Sequence, residues 1–236
     1  DSDGYIAKYT VANFYKMVSK KLEIIAKEIK KIVAPLLSNS DFYRVFVNSK
    51  INDKKIAIYS KVGYMAKNSI IFVNGGGIKT ILGTLLLNYE FNNNHVSELK
   101  NHCGNCDLCV TNCPTNAITK DKMVVKNRCL QHLSSQIEIP NKIDDKRYTD
   151  LWKNRFFGCT SCVDICPHNS KNIKVSNDEL IGYIGLTFNC EKIINMKKED
   201  YKQNFNDNQL TASWIPTVTL ARNGLLNLYY NNKNRI

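Results

Sequence analysis

Residues 103–114 read C-G-N-C-D-L-C-V-T-N-C-P, which is the C-x2-C-x2-C-x3-C-P spacing that bacterial ferredoxins use to bind iron–sulfur clusters. A second run, residues 159–167, reads C-T-S-C-V-D-I-C-P and follows the spacing C-x2-C-x3-C-P. Thiolates are soft ligands that select iron–sulfur clusters, zinc or cuprous copper. The paired runs therefore predict a module with two [4Fe–4S] clusters that moves single electrons.

In runs of this type the first three cysteines hold one cluster, and the fourth reaches across to the other cluster. The second run lacks its first cysteine, and Cys129 lies between the runs as the natural replacement. The predicted ligands of cluster one are Cys103, Cys106, Cys109 and Cys166. Those of cluster two are Cys113, Cys129, Cys159 and Cys162. The ninth cysteine, Cys190, is left over and is predicted to be a small buried side chain.

Two other interpretations of the cysteines stay open. A structural zinc site uses two C-x2-C pairs or a mixture of cysteine and histidine. A disulfide framework is typical of small secreted domains, whereas this chain of 236 residues is larger and shows no signal peptide. No apolar run approaches the length of a membrane span. We therefore expect a cytoplasmic protein that does not bind a membrane.

The net charge of +12 comes from 33 basic and 21 acidic residues. A basic surface attracts nucleic acids by neutralising their phosphates, so RNA is one expected partner. Only six of the basic residues are arginine, however, and asparagine is abundant. Enrichment in lysine and asparagine is also typical of a nucleotide-biased genome, and no familiar RNA-binding motif is present. Charge alone leaves both explanations open.

Apolar periodicity predicts the secondary structure on either side of the cysteines. The triple glycine at 75–77 is expected to form a hairpin turn, because no phosphate-binding glycine pattern surrounds it. The predicted strands are 43–47, 69–73 and a continuation of the sheet over 78–87. The predicted helices are 11–33, 53–61, 127–136, 189–203 and 213–231, and residues 137–150 are expected to be a loop. The predicted fold class is α+β, with an α/β domain over 1–98, a ferredoxin-like module over 99–180 and a helical segment over 181–236.

Stretches distributed over nearly the whole chain resemble the epoxyqueuosine reductases. The matching stretches are IAKY (6–9), GYMAKNS (63–69), IKTILG (78–83), CLQHL (129–133), FGCTSCVDICPHN (157–169) and RNGL (222–225). Enzymes of this family use cobalamin and two [4Fe–4S] clusters to reduce the epoxide of epoxyqueuosine, in the wobble position of tRNA, to queuosine. Their cobalamin-binding α/β domain, joined to a ferredoxin domain, is similar to that of reductive dehalogenases.

The resemblance implies that the chain is an oxidoreductase with a partial cobalamin-binding domain ahead of its cluster module. It also implies a tRNA substrate and a small redox protein as electron donor. The residues that would line the cobalamin side are Asn48, Lys67, Asn68 and Ser69. Asn48 occupies the position of the family's catalytic acid.

Three departures from the family pattern stand out. The family's V-D-[ST] segment is V-N-S here, at residues 47–49, and an amide cannot donate a proton as an acid does. The family's Y-x-x-G-x-D-Y-H pattern reads Y-T-V-A-N-F-Y-K at residues 9–16. The family also carries a substantial segment before this point, so we expect a fragment, a processed form or a reduced paralogue.

These departures keep two hypotheses open beside the reductase. One is a ferredoxin-type electron-transfer protein, in which the cluster module sits on a degenerate domain and serves a partner reductase. The other is a binding module without redox activity that retains its clusters for structure.

Overall fold

The computed structural model describes residues 3–33, 42–90, 99–137, 145–169 and 180–233. The helices are α1 (Phe14–Val33), α2 (Asp53–Tyr59), α3 (Leu108–Thr111), α4 (Leu130–Leu133), α5 (Asp145–Trp152), α6 (Ser161–Asp164), α7 (Cys190–Ile194), α8 (Lys198–Asn204) and α9 (Thr217–Lys233). The strands are β1 (Asp3–Ile6), β2 (Tyr43–Phe46), β3 (Gly63–Met65), β4 (Ile71–Val73), β5 (Thr84–Leu87), β6 (Arg155–Phe157) and β7 (Thr187–Asn189). This mixture of helices and strands confirms the α+β class.

The N-terminal strand joins distant parts of the chain. β1 is the central strand of a three-stranded sheet in the order β6-β1-β7, parallel to β6 and antiparallel to β7. A Cβ added at Gly4 in this strand would lie 2.7 Å from the Cys190 sulfur and 2.9 Å from the Phe156 Cβ. Only glycine therefore lets the strand approach both neighbours. β1 thus connects the first part of the proposed division at 1–98, 99–180 and 181–236 to the other two parts. The division itself stays a prediction.

Two further strand pairs lie in the first hundred residues. β2 pairs with β5, and β3 pairs with β4, both antiparallel. The predicted hairpin turn at the triple glycine is confirmed, because Val73 and Gly77 exchange backbone hydrogen bonds across it at 2.9 Å. The prediction that residues 78–87 continue the sheet holds only for residues 84–87, which pair with the predicted strand at 43–47 and not with the strand before the glycine turn. The chain leaves the sheet after Gly77, and only β5 within this stretch is a strand, paired with β2 instead.

The long N-terminal helix begins three residues later than its periodicity predicts. Asn13 accepts a hydrogen bond from the Lys16 amide at 3.0 Å, which is the contact of a helix N-cap. The residues before it form a short 3-10 helix, Lys8–Thr10. The apolar pattern thus indicated the correct helix, and the capping side chain determines where it begins.

Three other predicted elements were wrong in detail. The expected loop 137–150 includes the start of α5, and residues 138–144 lie outside the described part. The expected helix 189–203 is instead α7 and α8, because Asn189 caps the first and the Asp200 carboxylate caps the second. The expected helix 127–136 is a 3-10 turn, Lys126–Arg128, followed by the short α4.

The main core lies between the sheet and the C-terminal helices. Phe156 of β6 is fully buried, and α7 packs against α9 beneath the strands. Cys190 is also fully buried in this core, which confirms the prediction for the ninth cysteine. Within the described part of the chain, no helix is both long enough and apolar enough to cross a membrane.

The buried amide of Asn208 links the two ends of the chain. Its nitrogen donates to the Thr10 carbonyl at 2.9 Å and the Gly182 carbonyl at 2.8 Å, while its oxygen accepts from the Leu210 amide at 2.9 Å. Asn208→Ala leaves these buried groups unsatisfied, so we expect the free energy of unfolding to fall by roughly 1–3 kcal/mol in anaerobic urea titrations.

The matched control for this prediction is Asn204→Ala. Asn204 is exposed and donates only to the Asp200 carbonyl of its own helix. Its replacement should change the free energy of unfolding far less. Equal effects of the two substitutions would contradict the assigned role of Asn208.

Candidate iron–sulfur centres

Each cysteine run bends through a turn and then forms one turn of helix. In the first run, the Cys106 amide donates to the Cys103 carbonyl at 2.7 Å, and α3 begins after Asp107. In the second run, α6 begins after Thr160, whose carbonyl accepts from the Val163 amide at 2.8 Å. Because α3 packs against α6, the two runs lie side by side.

The first set of thiols combines three cysteines of the first run with one of the second. These four line one open cavity. Burial raises the pKa of the Cys109 thiol, and the other three thiols raise that pKa further. The members of this first thiol set are Cys103, Cys106, Cys109 and Cys166. The structure thus brings Cys166 to the first run.

The second set of thiols combines the remaining cysteines of both runs with Cys129. Burial is the largest cause that raises the pKa of Cys162 to about 12, followed by the charges of Cys159, Cys129 and Cys113. The pKa of Cys129 is also raised, mainly by burial and with smaller contributions from Cys159 and Cys113. Cys109 of the first thiol set has the weakest effect on Cys162, so the two sets are neighbours.

Hydrogen-bond donors approach two sulfur atoms of the second thiol set. The Ala117 amide donates to the Cys113 sulfur at 3.2 Å, and the Thr115 hydroxyl lies 3.7 Å from the same atom. The Ser161 hydroxyl lies 3.4 Å from the Cys159 sulfur. Donors of this kind stabilise negative charge on sulfur and so influence the reduction potential of a cluster.

The chemistry of both thiol sets fits iron–sulfur clusters. Each set supplies four soft thiol donors, which is the number that a [4Fe–4S] cluster takes. In the described ranges, no three side chains of cysteine, histidine, aspartate or glutamate converge on a position for a single metal ion. The assignment of each thiol to a particular cluster remains a prediction.

Two of the four residues expected on the cobalamin side line the cavity of the first thiol set. The Lys67 ammonium donates to the Asp107 carboxylate at 2.6 Å and lies beside the thiols of that set. Asn68 is buried, and its amide donates to the Cys162 carbonyl at 3.3 Å and accepts from the Ile70 amide at 3.2 Å. Asn68 therefore connects the turn between β3 and β4 to the second cysteine run.

The other two residues contact the first turn of α2 instead. The backbone N–H of Asn48 donates to the Asp53 carboxylate at 3.1 Å. Asn48 itself is exposed and has a φ of 47°. The Ser69 carbonyl accepts from the Lys54 ammonium at 2.6 Å. The polar groups of Lys67, Asn68 and Ser69 all have partners within the chain. These four residues alone do not enclose a corrinoid, because two line the cavity of the first thiol set and two contact α2.

Sequence reasoning missed Asn169 as a link between the two halves of the site. Its amide donates to the Val163 carbonyl at 2.7 Å and accepts from the Ile78 amide at 3.1 Å. This side chain thus joins α6 to the segment after the glycine turn, beside the cavity of the first thiol set. The signal for it was its place shortly after the second Cys-Pro pair, within the stretch that resembles the reductases.

An aromatic stack borders the same cavity and was also missed. The Phe72 ring stacks on Tyr64 and on His102, with centroid distances of 5.2 and 5.1 Å. The Tyr64 hydroxyl accepts a hydrogen bond from the His102 amide at 2.8 Å. The stack therefore fixes the backbone immediately before Cys103.

The region that contains both cysteine runs matches a known family. Residues 102–169 match the protein-family model described as "4Fe-4S double cluster binding domain". The match includes the isolated Cys129 and both flanking runs. The chain therefore has a domain that binds two [4Fe–4S] clusters.

Curated relatives extend the similarity beyond the cluster domain. An epoxyqueuosine reductase of Vibrio cholerae is 31% identical over 170 residues, which are 71% of this chain and 43% of that protein. The corresponding protein of Cyclobacterium marinum is 31% identical over 166 residues, 70% of this chain and 51% of the relative. That of Staphylococcus aureus is 24% identical over 94% of this chain and 55% of the relative. The chain spans about half the length of these relatives.

Solved structures show the same fold. An epoxyqueuosine reductase bound to an epoxyqueuosine-modified tRNA-Tyr stem loop superposes with a TM-score of 0.79 at 21% identity, covering 97% of this chain and 58% of that one. The enzyme from Streptococcus thermophilus superposes with a TM-score of 0.76 at 22% identity and the same coverage.

The proposed ligand sets make a direct prediction for iron content. Cys103→Ala removes a ligand of cluster one, and Cys162→Ala removes a ligand of cluster two. Each substitution should lower the iron content from about eight to about four per chain, because one [4Fe–4S] cluster is lost. Iron and sulfide analysis of anaerobically purified protein measures the change.

Cys190→Ala is the matched control, because this thiol is buried in the core next to Gly4 and not with either thiol set. It should retain about eight irons per chain. A loss of iron in this variant, or full iron content in Cys162→Ala, would show that the ligand sets are wrong.

Proposed function

Because the chain belongs to the epoxyqueuosine reductase family, we propose that its two [4Fe–4S] clusters supply the electrons that reduce the epoxide of epoxyqueuosine in tRNA to queuosine. Removal of an epoxide oxygen as water consumes two electrons and two protons. Two adjacent one-electron centres match this requirement. The observation that supports this proposal most directly is that both cysteine runs and Cys129 together form two neighbouring thiol sets.

The proposed cluster ligands follow the two sets. Cluster one takes Cys103, Cys106, Cys109 and Cys166. Cluster two takes Cys113, Cys129, Cys159 and Cys162. Since α3 packs against α6 and Cys109 influences Cys162, electrons have a short path between the clusters.

Cluster one borders the expected cofactor side. Lys67 and Asn68 line its cavity, so we place the exit of electrons from the module at this face. Cobalamin is the cofactor that the resemblance predicts there, and it would supply the low-valent metal chemistry. Within this chain, the Lys67 cation lies beside the thiols of Cys103 and Cys106 and offsets part of their negative charge.

A tRNA substrate agrees with the net charge of +12, since phosphate binding favours a basic protein. One similar structure contains a modified tRNA stem loop. The proposal implies a cytoplasmic enzyme, because its substrate is tRNA, and a small redox protein as electron donor. The alternative of a ferredoxin-type carrier for a partner reductase is not favoured by the relatives, which are named as reductases.

The test begins with anaerobic purification after expression with cobalamin, followed by iron, sulfide and corrinoid analysis and EPR. The protein is then incubated with epoxyqueuosine-containing tRNA and a chemical reductant. About eight irons, one corrinoid and formation of queuosine support the proposal. About eight irons without corrinoid or turnover would overturn it and favour the electron carrier.

Asn48→Asp should raise any epoxide-reducing activity, because it restores a carboxyl group at the family's acid position. The left-handed backbone at Asn48 tolerates aspartate. The measurement is the rate of queuosine formation under single-turnover conditions.

Asn52→Asp is the matched control, since it adds a carboxyl to the same loop while preserving an N-cap acceptor for α2. Its activity should equal that of the unaltered protein. Unchanged or lower activity in Asn48→Asp would show that Asn48 does not occupy the acid position.

A further inference from the structure

Two buried tyrosine hydroxyls next to the second thiol set have no well-formed hydrogen bond in the described structure. They belong to Tyr9 and Tyr148. The Gln131 side chain and the Cys159 amide lie near the Tyr9 hydroxyl, but neither meets the geometry of a hydrogen bond. A buried hydroxyl without a partner is unfavourable, so each of these groups calls for a partner.

The Tyr9 hydroxyl lies against the backbone immediately before Cys159. Gly158 has a φ of +78°, and a Cβ added there would overlap the Tyr9 hydroxyl oxygen. Tyr9 is held in place by its own carbonyl, which accepts a hydrogen bond from the Gln209 side chain at 2.6 Å. The adjacent Ala7 amide donates to the Phe157 carbonyl at 2.9 Å. The hydroxyl is therefore fixed beside the second thiol set.

Tyr148 reaches the same thiol set from α5. It is 2% exposed and packs with Leu130, Leu133 and Trp152, and Cys159 contacts this cluster. Its electrostatic neighbours are the Arg222 guanidinium, which lowers the pKa of Tyr148, and more weakly the Cys129 thiol, which raises it. The Tyr9 hydroxyl thus lies against the backbone at Cys159, and Tyr148 lies within electrostatic range of Cys129.

Both phenols keep their protons. Burial is the main cause that raises the pKa of Tyr9 and of Tyr148, so both are neutral O–H donors at physiological pH. A reduced cluster carries more negative charge on its sulfur atoms than an oxidised one. A donated hydrogen bond therefore stabilises the reduced state and raises the reduction potential.

We propose that the hydroxyls of Tyr9 and Tyr148 donate hydrogen bonds to sulfur atoms of cluster two and raise its reduction potential. They are positioning residues for the electron path, and neither is a ligand. The inference rests on the proposed ligand set Cys113, Cys129, Cys159 and Cys162. It assigns a role to Tyr9, the tyrosine of the IAKY stretch at residues 6–9.

The experiment compares the loaded protein with Tyr9→Phe, Tyr148→Phe and the double variant in redox titrations followed by EPR. Phenylalanine keeps the ring and removes only the hydroxyl. Each single variant should move the midpoint potential of cluster two to more negative values, and the double variant should move it further. The potential of cluster one should not change. The signal of cluster two is identified in Cys103→Ala, which retains that cluster alone.

Tyr201→Phe is the matched control. Tyr201 is also a buried tyrosine, but its hydroxyl donates to the Ile193 carbonyl at 2.7 Å in the main core. This variant should lose a buried hydrogen bond without a change in the reduction potential of either cluster. A second readout is the ENDOR spectrum of reduced cluster two, in which exchangeable protons are those whose couplings disappear after transfer from H2O to D2O. The exchangeable coupling should be weaker in Tyr9→Phe than in the unaltered protein.

The outcomes separate the inference from its premise. About eight irons with unchanged cluster-two potentials and unchanged proton couplings would overturn the tyrosine assignment alone. About four irons in the unaltered protein would overturn the ligand sets and the tyrosine assignment with them. An equal shift in Tyr201→Phe would also overturn the assignment, because the effect would then be general destabilisation.

Discussion

Each of the two thiol sets takes cysteines from both cysteine runs, and the rest of the fold depends on this constraint. Cys166 lies with the first run, and Cys113 lies with the second, so neither run completes a four-thiol site by itself. The chain between them must leave the first run, contribute Cys129 and return to the second run in register. β6 achieves this return by pairing with β1, and Gly158 then turns the chain into Cys159 through a left-handed conformation that glycine adopts without strain.

The local parts of this arrangement were predictable from the sequence, and the long-range parts were not. Cysteine spacing indicated two cluster-binding runs, because the spacing reflects the geometry of the ligands, and the assignment of each thiol to a cluster stays a prediction. The amphipathic pattern indicated α1, and the triple glycine indicated a turn. The position of β1 between β6 and β7 depends on residues more than 140 positions apart, for which a short strand carries no signal. α5 was missed because its polar sequence hides the buried pair Tyr148 and Trp152.

Asparagine has a structural role that composition alone concealed. Its abundance was compatible with nucleotide bias, yet several of these side chains are buried and join separate segments. Asn68 and Asn169 connect the turn between β3 and β4 and the segment after the glycine turn to the second cysteine run, and Asn223 donates to the Ser134 carbonyl near Cys129. An amide donates and accepts at once, so it satisfies two backbone groups that strand or helix pairing leaves unpaired. Short, irregular elements around the clusters make such groups frequent.

The polar surroundings of the two thiol sets are different, and this difference bears on the direction of electron flow. The first thiol set opens to a cavity with a lysine ammonium nearby, whereas an amide and two hydroxyl groups lie near sulfur atoms of the second. Burial alone disfavours added negative charge, as the raised pKa of Cys162 shows. A buried cluster that accepts electrons therefore needs donors to its sulfur atoms to offset the loss of water. The hydroxyls of Tyr9 and Tyr148 meet that need without adding a charge to the core, since a neutral donor stabilises the reduced cluster at a smaller desolvation cost than a buried cation.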